Sequence, residues 1–212
     1  MGHLIPRVLV IGLGAAVSPV AIMILLAVMV KKDAKRNSLL FIAGYTLVLV
    51  VVGLAAMFLF GAVTHKQGTS DAVIDIVLGA LCLAFIPLSL KRKPKPQKED
   101  GGMNPLGAVA LGAGAMLVNT STWVFYLGGV HAITQAKNIG TADTAIAFII
   151  LIFMTLLTLT IPVGILLVFP VKSQKFLDAL GEWLARHRKT ITVALLLIFA
   201  VYLIWKGIGI LV

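Results

Sequence analysis

The sequence predicts an all-α integral membrane protein: six transmembrane helices, folded as two inverted three-helix repeats, with both termini outside. Three observations predict it. The chain of 212 residues is 60% hydrophobic and only 12% charged, where a soluble domain is about a quarter charged. Its apolar runs reach the roughly 20 residues that a helix needs to cross a bilayer. Nearly all of its cations lie in short tracts between those runs, where membrane topology collects them.

The spans are read at 5–30, 38–63, 72–90, 105–130, 144–169 and 190–211. Only helices and closed barrels satisfy the backbone within lipid. These runs are too long and too uniformly apolar for barrel strands, which alternate. The first run follows Arg7 in the manner of a signal sequence, but it continues past Pro19 to Val30, and that length fits a retained span.

Loop charge sets the orientation. Loop 1 carries Lys31, Lys32, Lys35 and Arg36, and loop 3 carries Lys91, Arg92, Lys93, Lys95 and Lys98. Loop 5 carries Lys172, Lys175, Arg186, Arg188 and Lys189, whereas loops 2 and 4 hold only Lys66 and Lys137. The positive-inside rule puts loops 1, 3 and 5 in the cytoplasm. The net charge of +10 therefore belongs to topology. It makes no basic face on a soluble domain, which excludes nucleic acid as a partner.

The segment 91–103 is charged, rich in proline and glycine-containing, the composition of a flexible cytoplasmic linker. It divides the chain into repeats at 1–90 and 104–212. Three spans is an odd number, so the second set enters the membrane from the opposite side, as in an inverted repeat. Gly12-Leu-Gly14-Ala15 echoes Gly112-Ala-Gly114-Ala115 at an offset of 100 residues. Within 173–188, Phe176, Leu177, Leu180, Trp183 and Leu184 recur at helical spacing, opposite Lys175, Asp178, Glu182 and Arg186. That pattern predicts an amphipathic helix in the cytoplasmic interface.

Two features fall near mid-span. Pro19 lacks an N–H, and its ring clashes with the carbonyl of Ala15. The first span should break there, with Ser18 supplying a hydroxyl to the opened turn. In the fourth span, Asn119, Thr120, Ser121 and Thr122 form a polar run of cap-forming residues. A break there would start a second half-helix near the midplane. Two helix N-termini would then meet, each with free N–H groups and partial positive charge. Such a site suits an anionic or strongly hydrogen-bonding group. Gly44, Tyr45 and Thr46 form a small polar island in span 2 that can face the same place. Thr155, Thr158 and Thr160 accompany Pro162 in span 5; their hydroxyls either relieve the strain at the proline or line a path, with Thr158 the site candidate.

Other motifs are discounted. Gly12-Leu-Gly14 imitates a dinucleotide fingerprint, which needs a strand, a turn and a soluble helix; within a span it instead allows close helix approach. Cys82 is the one cysteine, so no internal disulfide can form. Asp33, Asp71, Asp75, Glu99, Asp100, Asp143, Asp178 and Glu182 all lie in loops or near span ends. Carriers of protons and cations place carboxylates at mid-membrane, so those cargoes are disfavoured. His65 and His131 join three of these acids on the outer side, without the tight spacing of a metal site. No nucleophile elbow, metalloprotease helix or phosphate loop is present. The expectation is a protein that is not an enzyme and carries no cofactor or metal.

Ala16-Val-Ser18-Pro19, a long span, a basic loop and Phe41-Ile-Ala-Gly44-Tyr45 together resemble the lysine exporter (LysE) superfamily. Within it, the chain is similar to the GAP branch, the peptidoglycolipid-addressing proteins. The likeness covers the whole layout of six spans, with Ser18, Pro19 and Gly44 as the matching positions. That family often has Asn-Pro in span 4. Here Thr120 follows Asn119, so the second break is expected from the polar run rather than from a proline. The paired cysteines of the superfamily's thiol-transfer branch are missing. The resemblance implies export or translocation of a lipid or glycolipid in the cytoplasmic membrane of a prokaryote. An anionic headgroup is favoured, because basic loops attract such lipids. An exporter of small solutes and a non-transporting scaffold are the alternatives, and a chain of this size can also operate as a homodimer.

Overall fold

The computed structural model describes residues 4–63, 103–136, 139–169 and 173–211, with isolated positions between 76 and 87. The expected third span (72–90), loop 2 and the linker before residue 103 lie outside the described residues, apart from those positions. Regular structure among the described residues is entirely α-helical. It comprises α1 (Leu4–Ala16), α2 (Pro19–Met29), α3 (Ala34–Val63), α4 (Pro105–Val118), α5 (Thr120–Thr134), α6 (Thr141–Val168) and α7 (Ser173–Leu211).

Two helices are long and apolar enough to cross a membrane unaided, over Ala34–Gly61 and Thr141–Val168. Counting each bent pair as one span raises the number to five. α1 and α2 meet at 58°, and Pro105–Val118 meets Thr122–Thr134 at 77°. α7 bends by 58° between Ala179–His187 and Lys189–Trp205. Spans 1 and 4 of the sequence are therefore each two half-helices.

Local chemistry explains the boundaries. Pro19 opens α2 at a position where its missing N–H costs nothing, and Ser18 Oγ accepts from Ala21 N at 3.3 Å as the N-cap. The turn into α3 is tight, with Asp33 in the left-handed region at φ 59°, which Asp tolerates better than most residues. Asn104 caps α4 through Gly107 N at 2.6 Å, just before Pro105. α6 runs through Pro162 without ending.

Helices in lipid gain little from hydrophobicity, so close packing holds them together. α3 lies most extensively against α4. A Cβ on Gly44 would run into the Val109 carbonyl, and one on Gly112 into the Phe41 carbonyl. Each helix thus presents a glycine to the other's backbone at one crossing point. α1 packs on α5 and α6, where a Cβ on Gly12 would meet Met154 Cβ at 2.7 Å and one on Gly14 would meet the Phe125 ring. Gly12-Leu-Gly14 does mediate close helix approach.

Helix directions follow from cross-contacts. Along α1 and the break after it, Gly14, Ala15 and Ser18 face Phe125, Thr122 and Asn119 in reverse order, so α1 and α5 are antiparallel. Along α3, Tyr45 faces Thr122 and Leu49 faces Tyr126, so α3 and α5 are parallel. The amphipathic segment forms the first part of α7. Its Leu177 and Leu184 are buried in the core, and Gly181 faces Leu26 of α2, while Trp183 is 53% exposed. Its apolar face is thus shared between α2 and the surroundings, rather than given wholly to lipid.

Gly44→Ala and Gly112→Ala should each destabilise the fold by about 1–3 kcal/mol, the usual cost of overpacking. Gly114→Ala should be tolerated, since no described residue lies within 4 Å of its added Cβ. Thermal unfolding of the three variants in detergent micelles checks this; equal melting temperatures would refute the crossing.

Candidate functional site

The two breaks face each other. Ser18 at the first and Asn119 at the second meet in a cluster completed by Tyr45 of α3 and Thr122 of α5. All four are buried, none more than 3% exposed. The Asn119 amide donates to Ser18 Oγ, to Thr122 Oγ1 at 2.7 Å and to Tyr45 Oη at 3.1 Å. Two hydrogens shared among three acceptors make one of these bonds bifurcated. Tyr45 Oη also lies 3.5 Å from Thr122 Oγ1 as a weak donor.

Pro19 explains why the cluster sits here. The Ala15 carbonyl loses its helical partner where the first span breaks. Thr122 Oγ1 donates to it at 3.0 Å, across 107 residues of sequence. A backbone acceptor orphaned in one half is satisfied by a hydroxyl from the other. Asn119 is at once the C-cap of α4 and the N-cap of α5, yet its side chain makes no cap bond. It turns into the cluster instead.

Trp123 and Tyr126 complete the surroundings, and sequence reasoning missed both. Trp123 Nε1 donates to the Met116 carbonyl at 3.0 Å and the Leu117 carbonyl at 3.2 Å, covering the exposed end of α4. Tyr126 Oη donates to the Leu49 carbonyl at 2.7 Å and ties α5 to α3. The available signal was an aromatic with a polar handle deep in a span, where that handle needs a partner.

The other expected site residues lie elsewhere or have local roles. Gly44 serves the α3–α4 crossing beside Tyr45. Thr46 Oγ1 bonds the Ile42 carbonyl of its own helix at 2.8 Å. Thr155 and Thr160 do likewise, to Leu151 at 2.8 Å and Leu157 at 3.0 Å. Thr158 is half-buried on α6 and forms no bond to the cluster among the described residues. The side chains of Thr120 and Ser121 lie outside the described part. Nor does any group of three potential metal ligands gather among the described residues; His65, Asp71 and Asp75 fall outside them.

The cluster carries no charge. Its chemistry is hydrogen bonding, from one amide and three hydroxyls, beside the N-termini of α2 and α5. Broken apolar helices around a buried polar centre define a multi-pass helical membrane protein. The chain belongs to the Sap, sulfolipid-1-addressing protein, family, whose family model matches residues 8–209. No curated protein and no solved structure matches it.

Thr122→Val keeps the side-chain volume but strips the donor from the Ala15 carbonyl. It should cost about 1–2 kcal/mol of stability, the upper range for such bonds in membranes. Thr122→Ser should restore most of it. Denaturant unfolding in mixed micelles reads the difference; a valine variant as stable as wild type would contradict the linkage.

Proposed function

We propose that the protein is a lipid transporter, not an enzyme, which moves an anionic or glycosylated lipid across the cytoplasmic membrane. The observation that carries this reading is the buried cluster of Ser18, Tyr45, Asn119 and Thr122 at the junction of two broken helices. Paired discontinuous helices are where transporters hold their cargo. The family's name ties it to the addressing of a sulfolipid. A sulfated or sugar headgroup offers acceptor oxygens that an amide, three hydroxyls and two helix N-termini can receive.

The proposed architecture is six spans in two inverted repeats, 1–90 and 104–212, joined by a cytoplasmic linker at 91–103. Parallel α3 and α5 support it, because the intervening chain must then recross the membrane, and the apolar run 72–90 is long enough to do so. Gly12 and Gly112 support it too. They stand at equivalent places, one packed on α6 and the other on α3, the matching helices of the two halves. This layout accords with placement in the LysE superfamily, GAP branch. A homodimer is compatible with it.

In the conformation described, the cluster's groups satisfy one another. Passage of a headgroup would exchange these internal bonds for bonds to the cargo, with the half-helices separating at the two breaks. The same closure favours a second reading, a non-transporting accessory subunit whose polar centre only locks the halves together.

The Asn119→Ala, Thr120→Ala double variant separates the two. A lipid transporter should lose at least about tenfold in transport rate, which one or two lost hydrogen bonds to the cargo would produce, while remaining folded by gel filtration. The measurement is flux of extracted native lipid between leaflets of proteoliposomes, with native mass spectrometry of bound lipid. Undiminished flux in a well-folded variant would exclude the site. Absence of flux from the wild type would favour the accessory subunit.

A further inference from the structure

A second feature lies away from the polar cluster. Between α1, α5 and α7 runs a groove of about 540 Å³, within the roughly 300–1,000 Å³ range of small-molecule sites. Val10, Gly14, Phe125, Ile198 and Tyr202 line it, together with Arg7. Gly14 matters because a Cβ there would collide with the Phe125 ring. The absence of a side chain at Gly14 therefore leaves room for the Phe125 ring against this part of α1. Phe125 and Phe199, both in the groove's wall, meet at a tilt of 35° with centroids 4.1 Å apart. Val10 and Ile198 are 71% and 68% exposed, so the groove opens sideways, towards lipid.

Arg7 is the anomaly. It is half-buried, its Nε is shielded from solvent, and that atom has no hydrogen-bond partner among the described residues. Among the described residues, no carboxylate lines the groove. A cation at an apolar membrane surface is costly unless an anion pairs with it. An apolar groove beside a guanidinium whose Nε has no partner among the described residues selects its occupant by charge and by apolar surface together.

We propose that this groove is a lateral binding site for an anionic lipid. One acyl chain lies between α1 and α7 against Phe125, and the headgroup anion pairs with Arg7. The guanidinium gives two parallel donors to a phosphate or sulfate, which a zwitterionic headgroup with its own cation engages less well. The inference deepens the transport reading and rests on it for the site's purpose, loading or release of cargo from one leaflet. The binding itself is measurable without transport.

The experiment uses the full chain purified in mild detergent. It titrates phosphatidylglycerol and phosphatidylcholine of matched chains, read by native mass spectrometry. Wild type should hold one phosphatidylglycerol in preference to phosphatidylcholine. Arg7→Gln should cut that preference roughly fivefold, the share of one basic residue near anionic headgroups. Ile198→Trp should fill the groove and remove the bound lipid. Arg186→Gln and Val51→Trp, an exposed cation and an exposed apolar position outside the groove, should leave it in place. Equal retention by all four variants means annular lipid only and overturns the proposal. Loss in the groove variants, with Asn119→Ala still holding the lipid, supports it even if transport fails. Loss of transport in the cluster variant alone would leave the transport reading standing and this one rejected.

Discussion

The hydrogen bond from Thr122 to the Ala15 carbonyl, 3.0 Å long, is the contact on which the rest of the arrangement depends. Proline in a membrane helix frees a carbonyl that needs a new partner. The fold answers with a hydroxyl from a distant helix, and that answer fixes where α5 must lie. Once α5 is held against α1, Asn119 reaches Ser18, and Tyr45 closes the cluster from α3. The glycine crossing of α3 and α4 brings these backbones close enough for the tyrosine to reach. Break, bridge and crossing are therefore one constraint met three times.

A cluster built this way is suited to being opened. Its members are neutral, so separating them leaves polar groups exposed but strands no buried ion. Charged networks inside membranes are far more costly to part. Meanwhile the permanent cations, all but Arg7 and Lys206, are kept to the loops. The division leaves charge at the edges and neutral hydrogen bonds at the centre.

Much of this was legible in the sequence because the rules involved are local. Proline's clash with the carbonyl four residues back operates wherever the helix sits, so Pro19 announced both the break and the orphaned Ala15. Ser18 was legible as its cap. The polar run at 119–122 announced a second break without a proline, since four cap-forming residues compete with helix at any depth. What could not be read is set by through-space partners. Gly44 is a packing glycine because Val109 happens to face it. Thr46 bonds the carbonyl four residues back in its own helix, an alternative always open to a threonine in a helix. Trp123 capping α4 depends on the 77° bend, an angle that no residue pattern states. The amphipathic stretch gave its leucines to α2, which periodicity alone cannot distinguish from lipid.

The distribution of the cluster along the chain bears on how the protein is made. Ser18 and Tyr45 are synthesised well before their partners; the bonds joining the halves span 74 to 107 residues. At ribosomal rates of roughly 5–20 residues per second, the Ala15 carbonyl waits on the order of 5–20 s for Thr122 to emerge. During that interval the first half carries a helix break with no bridge. The first three helices are thus not finished until the fifth arrives.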